Sequence, residues 1–147
     1  MRVMLDTNIM IFAFIFRNKK MNSLIEYLAK NHDIIICYYV IDELKELVKS
    51  KFNVKIEELD KFLNKFPFDL VYSPTTIENK LFDIRDENDY IIPHTAIIED
   101  VDIFITGDKD FFDIDIDKPK IIYNGIFRKV LWSKYILKTK IKNINVS

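Results

Sequence analysis

Two aspartates close short apolar runs near opposite ends of the chain. Arg2-Val3-Met4-Leu5 leads into Asp6, which opens Asp6-Thr7-Asn8, and Ile103-Phe104-Ile105-Thr106-Gly107 leads into Asp108. If both runs are strands of a parallel sheet, both acids stand at carboxyl ends, where open α/β sheets bind ligands close to the reversal of strand order. Two more acids belong with them: Glu43, early in the helix after the second strand, and Asp89, at a predicted helix start. Carboxylates gathered on one edge repel unless protons or a cation neutralise them. A hard divalent ion takes oxygen ligands, which points to metal-assisted chemistry on a phosphate. The uncharged Asn8 and Thr106 are candidate hydrogen-bonding partners for the ligands, and Asp110 is a candidate accessory ligand.

Each acid also has a plainer role. Aspartate is a favoured helix N-cap, so Asp6, Asp89 and Asp108 could each cap the segment that follows, Asp110 could cap the turn over 109–112, and Glu43 could be one charge on a solvated face. Their meeting on one edge of a sheet separates the two readings.

The elements that would bring them together follow from periodicity. Strands are predicted over 2–5, 34–37, 68–72, 103–106 and 120–123, a short buried helix over 9–16, and an amphipathic helix over 21–30. Two more helices follow, marked by Val40, Ile41, Leu44, Leu47 and Val48, then by Ile56, Leu59, Phe62, Leu63 and Phe66. The helix opening at Asp89 has Pro93 as its fifth residue, close to the first turn, where a missing N–H costs less. This alternation predicts an α/β fold, three layers (α/β/α) around a central, mainly parallel five-stranded sheet. The basic, aromatic stretch over 126–141 is expected to be helical, so 126–147 reads as an extension of a domain spanning 1–125.

A chain of 147 residues with 49% apolar and 14% aromatic content is globular and builds one core. The net charge of −1 excludes a globally basic nucleic-acid binder but leaves room for a local basic rim. The lone Cys37 makes no intramolecular disulfide and falls in an apolar run, a buried thiol. No apolar stretch is long enough to span a bilayer, and the start lacks the pattern of a signal peptide, so a cytoplasmic location without a membrane partner is expected.

Four blocks together resemble the PIN-domain ribonucleases. They are Asp6-Thr7-Asn8; Glu43-Leu44-Lys45-Glu46-Leu47-Val48 with Lys51-Phe52; Arg85-Asp86-Glu87-Asn88-Asp89; and Asp102-Ile103-Phe104-Ile105-Thr106-Gly107-Asp108-Lys109-Asp110. The blocks run in the family's order from Arg2 to about Tyr123, most similar to the PIN-family toxins of prokaryotic toxin–antitoxin systems. The resemblance implies a metal-dependent endoribonuclease in which Asp6, Glu43, Asp89 and Asp108 hold one or two Mg²⁺ or Mn²⁺ ions, with RNA as substrate and a cognate antitoxin as partner. Glu87-Asn88 and Pro93-His94 depart from the family's pattern without removing a core acid.

Other residues are weighed one by one. Arg17, Lys19 and Lys20 could track a phosphate backbone or belong to a solvated loop. Tyr38 and Tyr39 could stack on an unpaired base, though packing in the core or an interface is the better expectation. His32 and His94 lack partners at zinc spacing and read as structural. The apolar residues of 9–16, expected mainly in the core, and of 127–135 could bury a second subunit as a homodimer. Two competing functions stay open: a non-catalytic Mg²⁺-binding phospho-acceptor module, and a housekeeping RNA-processing nuclease of the same fold. A haloacid-dehalogenase-type phosphatase is disfavoured, because Asn8 stands where its second aspartate belongs.

Overall fold

Runs rich in Ile, Val, Leu and Phe with no polar alternation suit strands buried on both faces, as a parallel sheet requires. In the computed structural model, which describes residues 1–74 and 76–123, these runs form such a sheet. Strands β1 (Arg2–Leu5), β2 (Asp33–Cys37) and β4 (Ile103–Thr106) are buried almost throughout, while β3 (Asp69–Val71) is a short exposed edge and β5 (Lys120–Tyr123) closes the other side. The order is β3-β2-β1-β4-β5, and every adjacent pair is parallel. Strand order therefore reverses between β1 and β4, where the two strand-terminal aspartates were expected.

Helices α1 (Thr7–Phe14) and α2 (Lys19–Asn31) link β1 to β2, α3 (Tyr38–Ser50) and α4 (Ile56–Leu63) link β2 to β3, and α5 (Ile91–Ile98) precedes β4. Three of them, α2, α3 and α4, bury one face: Met21, Leu24, Ile25 and Leu28; Val40, Ile41, Leu44 and Val48; Leu59, Phe62 and Leu63. By contrast α1 is apolar nearly all round and buries Ile9, Met10, Ile11 and Ala13, while Phe16 beyond its end is 59% exposed. Short 3-10 helices at Glu87–Asp89 and Lys109–Asp113 follow the pattern of close turns. The result is a three-layer α/β/α arrangement around a parallel sheet.

The amino edge of the sheet is pinned by charge. Arg2 N–H donates to Asp102 Oδ2 at 2.8 Å, and Lys118 Nζ bridges Asp100 and Asp102 at 2.9 and 3.1 Å. These ties fix the register of β1 against β4 and leave the carboxyl edge to carry the acids.

Most predicted elements fall within a few residues of those observed, and the last two strands coincide with them. Asp89 departs from expectation: it ends the 3-10 helix Glu87–Asp89, and α5 begins two residues later at Ile91. Pro93 is accordingly the third residue of α5, within the first turn, where no intrahelical N–H bond is lost. The predicted helix over 126–141, the extension over 126–147 and the apolar stretch 127–135 lie outside the described residues. Among the described residues no helix is long and apolar enough to cross a membrane.

Candidate functional site

Asp6 is the N-cap of α1, in extended backbone at the end of β1, and its N–H donates to Ile105 of β4 at 3.1 Å. Its carboxylate is buried. Oδ1 accepts from Thr7 N–H at 2.7 Å and Oδ2 accepts from the Thr106 hydroxyl at 2.6 Å. Burial pushes its pKa up to about 7, against the lowering effect of those two hydrogen bonds and with added repulsion from Glu43 and Asp108. Helix capping and membership of the acidic cluster are therefore one placement.

Thr106 joins the two strand-terminal acids. Its hydroxyl donates to Asp6 and accepts from Asp108 N–H at 3.0 Å, so one buried side chain orients the ends of both central strands. Asp108 in turn accepts from Asp110 N–H at 2.9 Å, capping the 3-10 helix Lys109–Asp113.

Glu43 lies at the margin of the buried face of α3, half-covered where α1 packs against it. Its Oε1 accepts from the Thr7 hydroxyl at 2.8 Å, and burial raises its pKa while that bond lowers it. Asp89 is partly exposed and caps nothing: Asp86 caps its turn by accepting from Asn88 N–H. Its pKa rises to about 6, first through burial, then through repulsion from Asp108, Asp86, Asp110 and Glu43.

These mutual repulsions place the four predicted acids around one space. Carboxylate oxygens of Asp89, Asp108 and Asp110 lie within 4.8 Å of one another, close enough to share an ion. Asp110, expected only as an accessory, is thus a full member of that group. Arg85 stands beside it, with Nη1 3.4 Å from Asp110 Oδ1 and a side chain 80% exposed. A crowded set of hard oxygen donors, with carboxyl groups driven toward protonation, fits a divalent cation well.

Other candidate residues are placed as follows. Asn8 is exposed, and its neighbour Thr7 takes the hydrogen-bonding role instead. Tyr38 lies outside the core and is exposed, while Tyr39 does pack on the core and donates from its hydroxyl to the Asn88 carbonyl at 3.3 Å. That bond ties α3 to the turn carrying Asp89. Lys19 and Lys20 begin α2 rather than a loop, and Arg17 precedes its N-cap in left-handed backbone. Cys37 is buried as expected, and His94 is buried too, facing the Tyr90 hydroxyl at 3.2 Å.

A parallel 3-2-1-4-5 sheet with acids gathered at its switch point defines the class, an α/β protein with an acidic carboxyl-edge site. The chain belongs to the PIN-domain family, whose model matches residues 2–110. Among solved structures it is similar to a chain of VapBC2 from Rickettsia felis, solved bound to a DNA fragment from their promoter. The two share 23% identity over 84% of this chain and 98% of that one, with a TM-score of 0.63, a likeness of fold. No curated protein sequence matches the chain.

Proposed function

We propose that this protein is a Mg²⁺- or Mn²⁺-dependent endoribonuclease and the toxin of a toxin–antitoxin pair. One observation carries the reading: carboxylates from four separate chain segments converge on the sheet's switch point, close enough to raise one another's pKa values. PIN domains are generally nucleases, and membership of that family supports the reaction class. The fold shared with VapBC2, a toxin–antitoxin complex, supports the biological setting.

Asp89, Asp108 and Asp110 would hold the ion most directly, with Asp6 and Glu43 on its inner side. When bound, the divalent ion supplies a water of lowered pKa and polarises the scissile phosphate. The chain does the rest. Thr106 and Thr7 fix the carboxylates of Asp6 and Glu43 so that neither swings into solvent. The Tyr39 bond to Asn88 holds the turn of Asp89 against α3. Burial of Asp6 raises its pKa to about 7, so a bound cation would favour the ionised carboxylate over the protonated one.

Away from the acids, a groove of about 630 Å³ is lined by Phe14, Phe52, Val54 and Phe62, with Arg17 and Lys65 among its lining residues. It suits an amphipathic segment that brings apolar side chains and negative charge, and supports an antitoxin as partner.

The reading is tested with purified protein on single-stranded RNA pools. Cleavage is expected in Mg²⁺ or Mn²⁺, far less in Ca²⁺, whose looser coordination positions water poorly, and none in EDTA. Inert protein in Mn²⁺, with one aspartate labelled by an acyl-phosphate donor, would replace this reading by the phospho-acceptor module. Cleavage without growth arrest on expression would favour a housekeeping nuclease.

A further inference from the structure

The carboxyl edge carries a feature that the acids do not use. Tyr38 is the first residue of α3 and Tyr72 the first beyond β3, and they directly follow the paired residues Cys37 and Val71 of adjacent strands. Their rings stack with centroids 4.6 Å apart and planes inclined by 20°. Aromatic pairs usually form to leave water, yet Tyr38 is 36% and Tyr72 77% exposed. At that exposure the far face of Tyr72 is open.

The position of the pair relates it to the acidic site. β2 lies beside β1, and the register Met4↔Ile35 carried two residues forward sets Asp6 next to Cys37. Neighbouring strands run about 5 Å apart, so the stack starts about one strand spacing from Asp6 and reaches about two, on the side away from Asp108. Tyr39, the residue after Tyr38, reaches across to the turn of Asp89.

The local charge narrows the occupant. The Tyr38 phenol has its pKa raised first by its hydrogen bond to Tyr72 and least by Asp42, a carboxylate one turn along α3. A negative neighbour makes the patch a poor seat for a phosphate or an acidic peptide, and leaves it suited to a neutral, flat aromatic ring. We propose that the Tyr38–Tyr72 stack is a platform for one unpaired nucleobase of the substrate, flanking the phosphate held at the acidic site. The inference deepens the nuclease reading and rests on it for the identity of the ligand.

Its physical content is selection for single strands. In a duplex both faces of each base are covered by neighbours, whereas a splayed base in a single-stranded RNA presents one to an aromatic ring. Base–aromatic stacking tolerates any base, so the platform sets strandedness and register rather than sequence. The inner ring, Tyr38, restricts the outer one and lowers the ordering cost on binding.

The experiment compares wild type, Tyr72→Ala, Tyr72→Phe and Tyr38→Ala on one single-stranded oligoribonucleotide. Cleavage is followed in Mn²⁺ and binding by fluorescence anisotropy in Ca²⁺. Tyr72→Ala is expected to weaken binding and raise KM about five- to a hundredfold with a smaller change in kcat, Tyr72→Phe to stay within about twofold, and Tyr38→Ala to fall between. An oligonucleotide series with one abasic position moved along it should reveal a single position where wild type loses affinity and Tyr72→Ala loses nothing more. Alanine variants that bind and cut like wild type, or Tyr72→Phe failing as badly as Tyr72→Ala, overturn the platform while leaving the nuclease reading intact. Binding with the expected pattern but no cleavage in any metal overturns the nuclease reading and keeps the platform. Absence of both binding and cleavage overturns both.

Discussion

Single atoms govern the acidic edge. The Asp6 carboxylate is buried and repelled by its neighbours, and its pKa rises to about 7 because burial outweighs the two hydrogen bonds, from Thr106 and Thr7, that lower it. An amide at this position can accept from Thr7 N–H and donate toward Thr106 without carrying charge. Asp6→Asn should therefore abolish RNA cleavage while leaving the melting temperature of metal-free protein at pH 8 unchanged or raised. A drop of several degrees would mean that the negative charge itself supports the fold. Thr106 is the opposite case. Thr106→Val removes the donor to Asp6 and the acceptor for Asp108 N–H together, leaving buried polar groups unpaired. The expected loss is about 1–3 kcal/mol by denaturant unfolding, with slower cleavage, and Thr106→Ser should restore most of both. Full activity in the valine variant would remove Thr106 from the positioning role.

At the scale of elements, two contacts couple pieces of chain that are remote in sequence. α1 meets α3 through Thr7 and Glu43, and α3 meets the Asp89 turn through Tyr39 and Asn88. The second bond is exposed, so its net worth to stability is small, on the order of 0.5–1 kcal/mol. Its worth to geometry is larger, because Asp89 sits on a short 3-10 helix with little burial of its own. Tyr39→Phe should leave the unfolding midpoint nearly unchanged and reduce kcat several-fold, with faster amide exchange over residues 86–90. Unaltered exchange there would show that other contacts hold the turn, among them the Tyr90 hydroxyl accepting from Leu81 N–H at 2.6 Å.

For the whole molecule, the raised pKa values of Asp6 and Asp89 become a statement about stability and pH. Both groups bind protons more readily when folded than when unfolded, where their values are near 3.8. In the window from pH 8 down to 6.5 the folded state takes up protons that the unfolded chain does not, so metal-free protein should grow more stable as pH falls. Below that, His32 and His94, whose pKa values are lowered first by burial, begin to work the other way. Saturating Mn²⁺ should invert the trend, because the ion competes with those protons and binds the folded state. At a hundred times its Kd it would add about 2.7 kcal/mol, seen as a melting temperature several degrees higher at pH 8 than in EDTA. Asp89→Asn should lose that increment. Stability that falls from pH 8 to 6.5 in EDTA, or a melting point indifferent to Mn²⁺, would contradict a strained, cation-seeking pocket.

Local pattern is enough to place the sheet and the acids at its edge. Runs such as Ile103-Phe104-Ile105-Thr106 are short, apolar on both faces and bounded by an acid, the pattern of a doubly covered parallel strand when helical segments alternate with such runs. Asp6 and Asp108 follow directly from it, since a residue just past a strand stands at its carboxyl end. Tertiary structure decided which neighbours support them. α1 is apolar nearly all round, so its periodicity carries no rotational information, and only its docking on α3 turns Thr7 toward Glu43 and leaves Asn8 in water. The helix at Asp89 was displaced for a similar reason. Tyr90 stacks on Phe82 at 4.4 Å and bonds to Leu81, contacts that no local pattern announces, and they accompany a 3-10 turn over Glu87–Asp89. Asp110 joined the cluster because the Asx-type bond from its N–H to Asp108 curls the chain back on itself. Strand ends are set by local pattern, whereas the rotation of a helix and the curl of a turn are set by what packs against them.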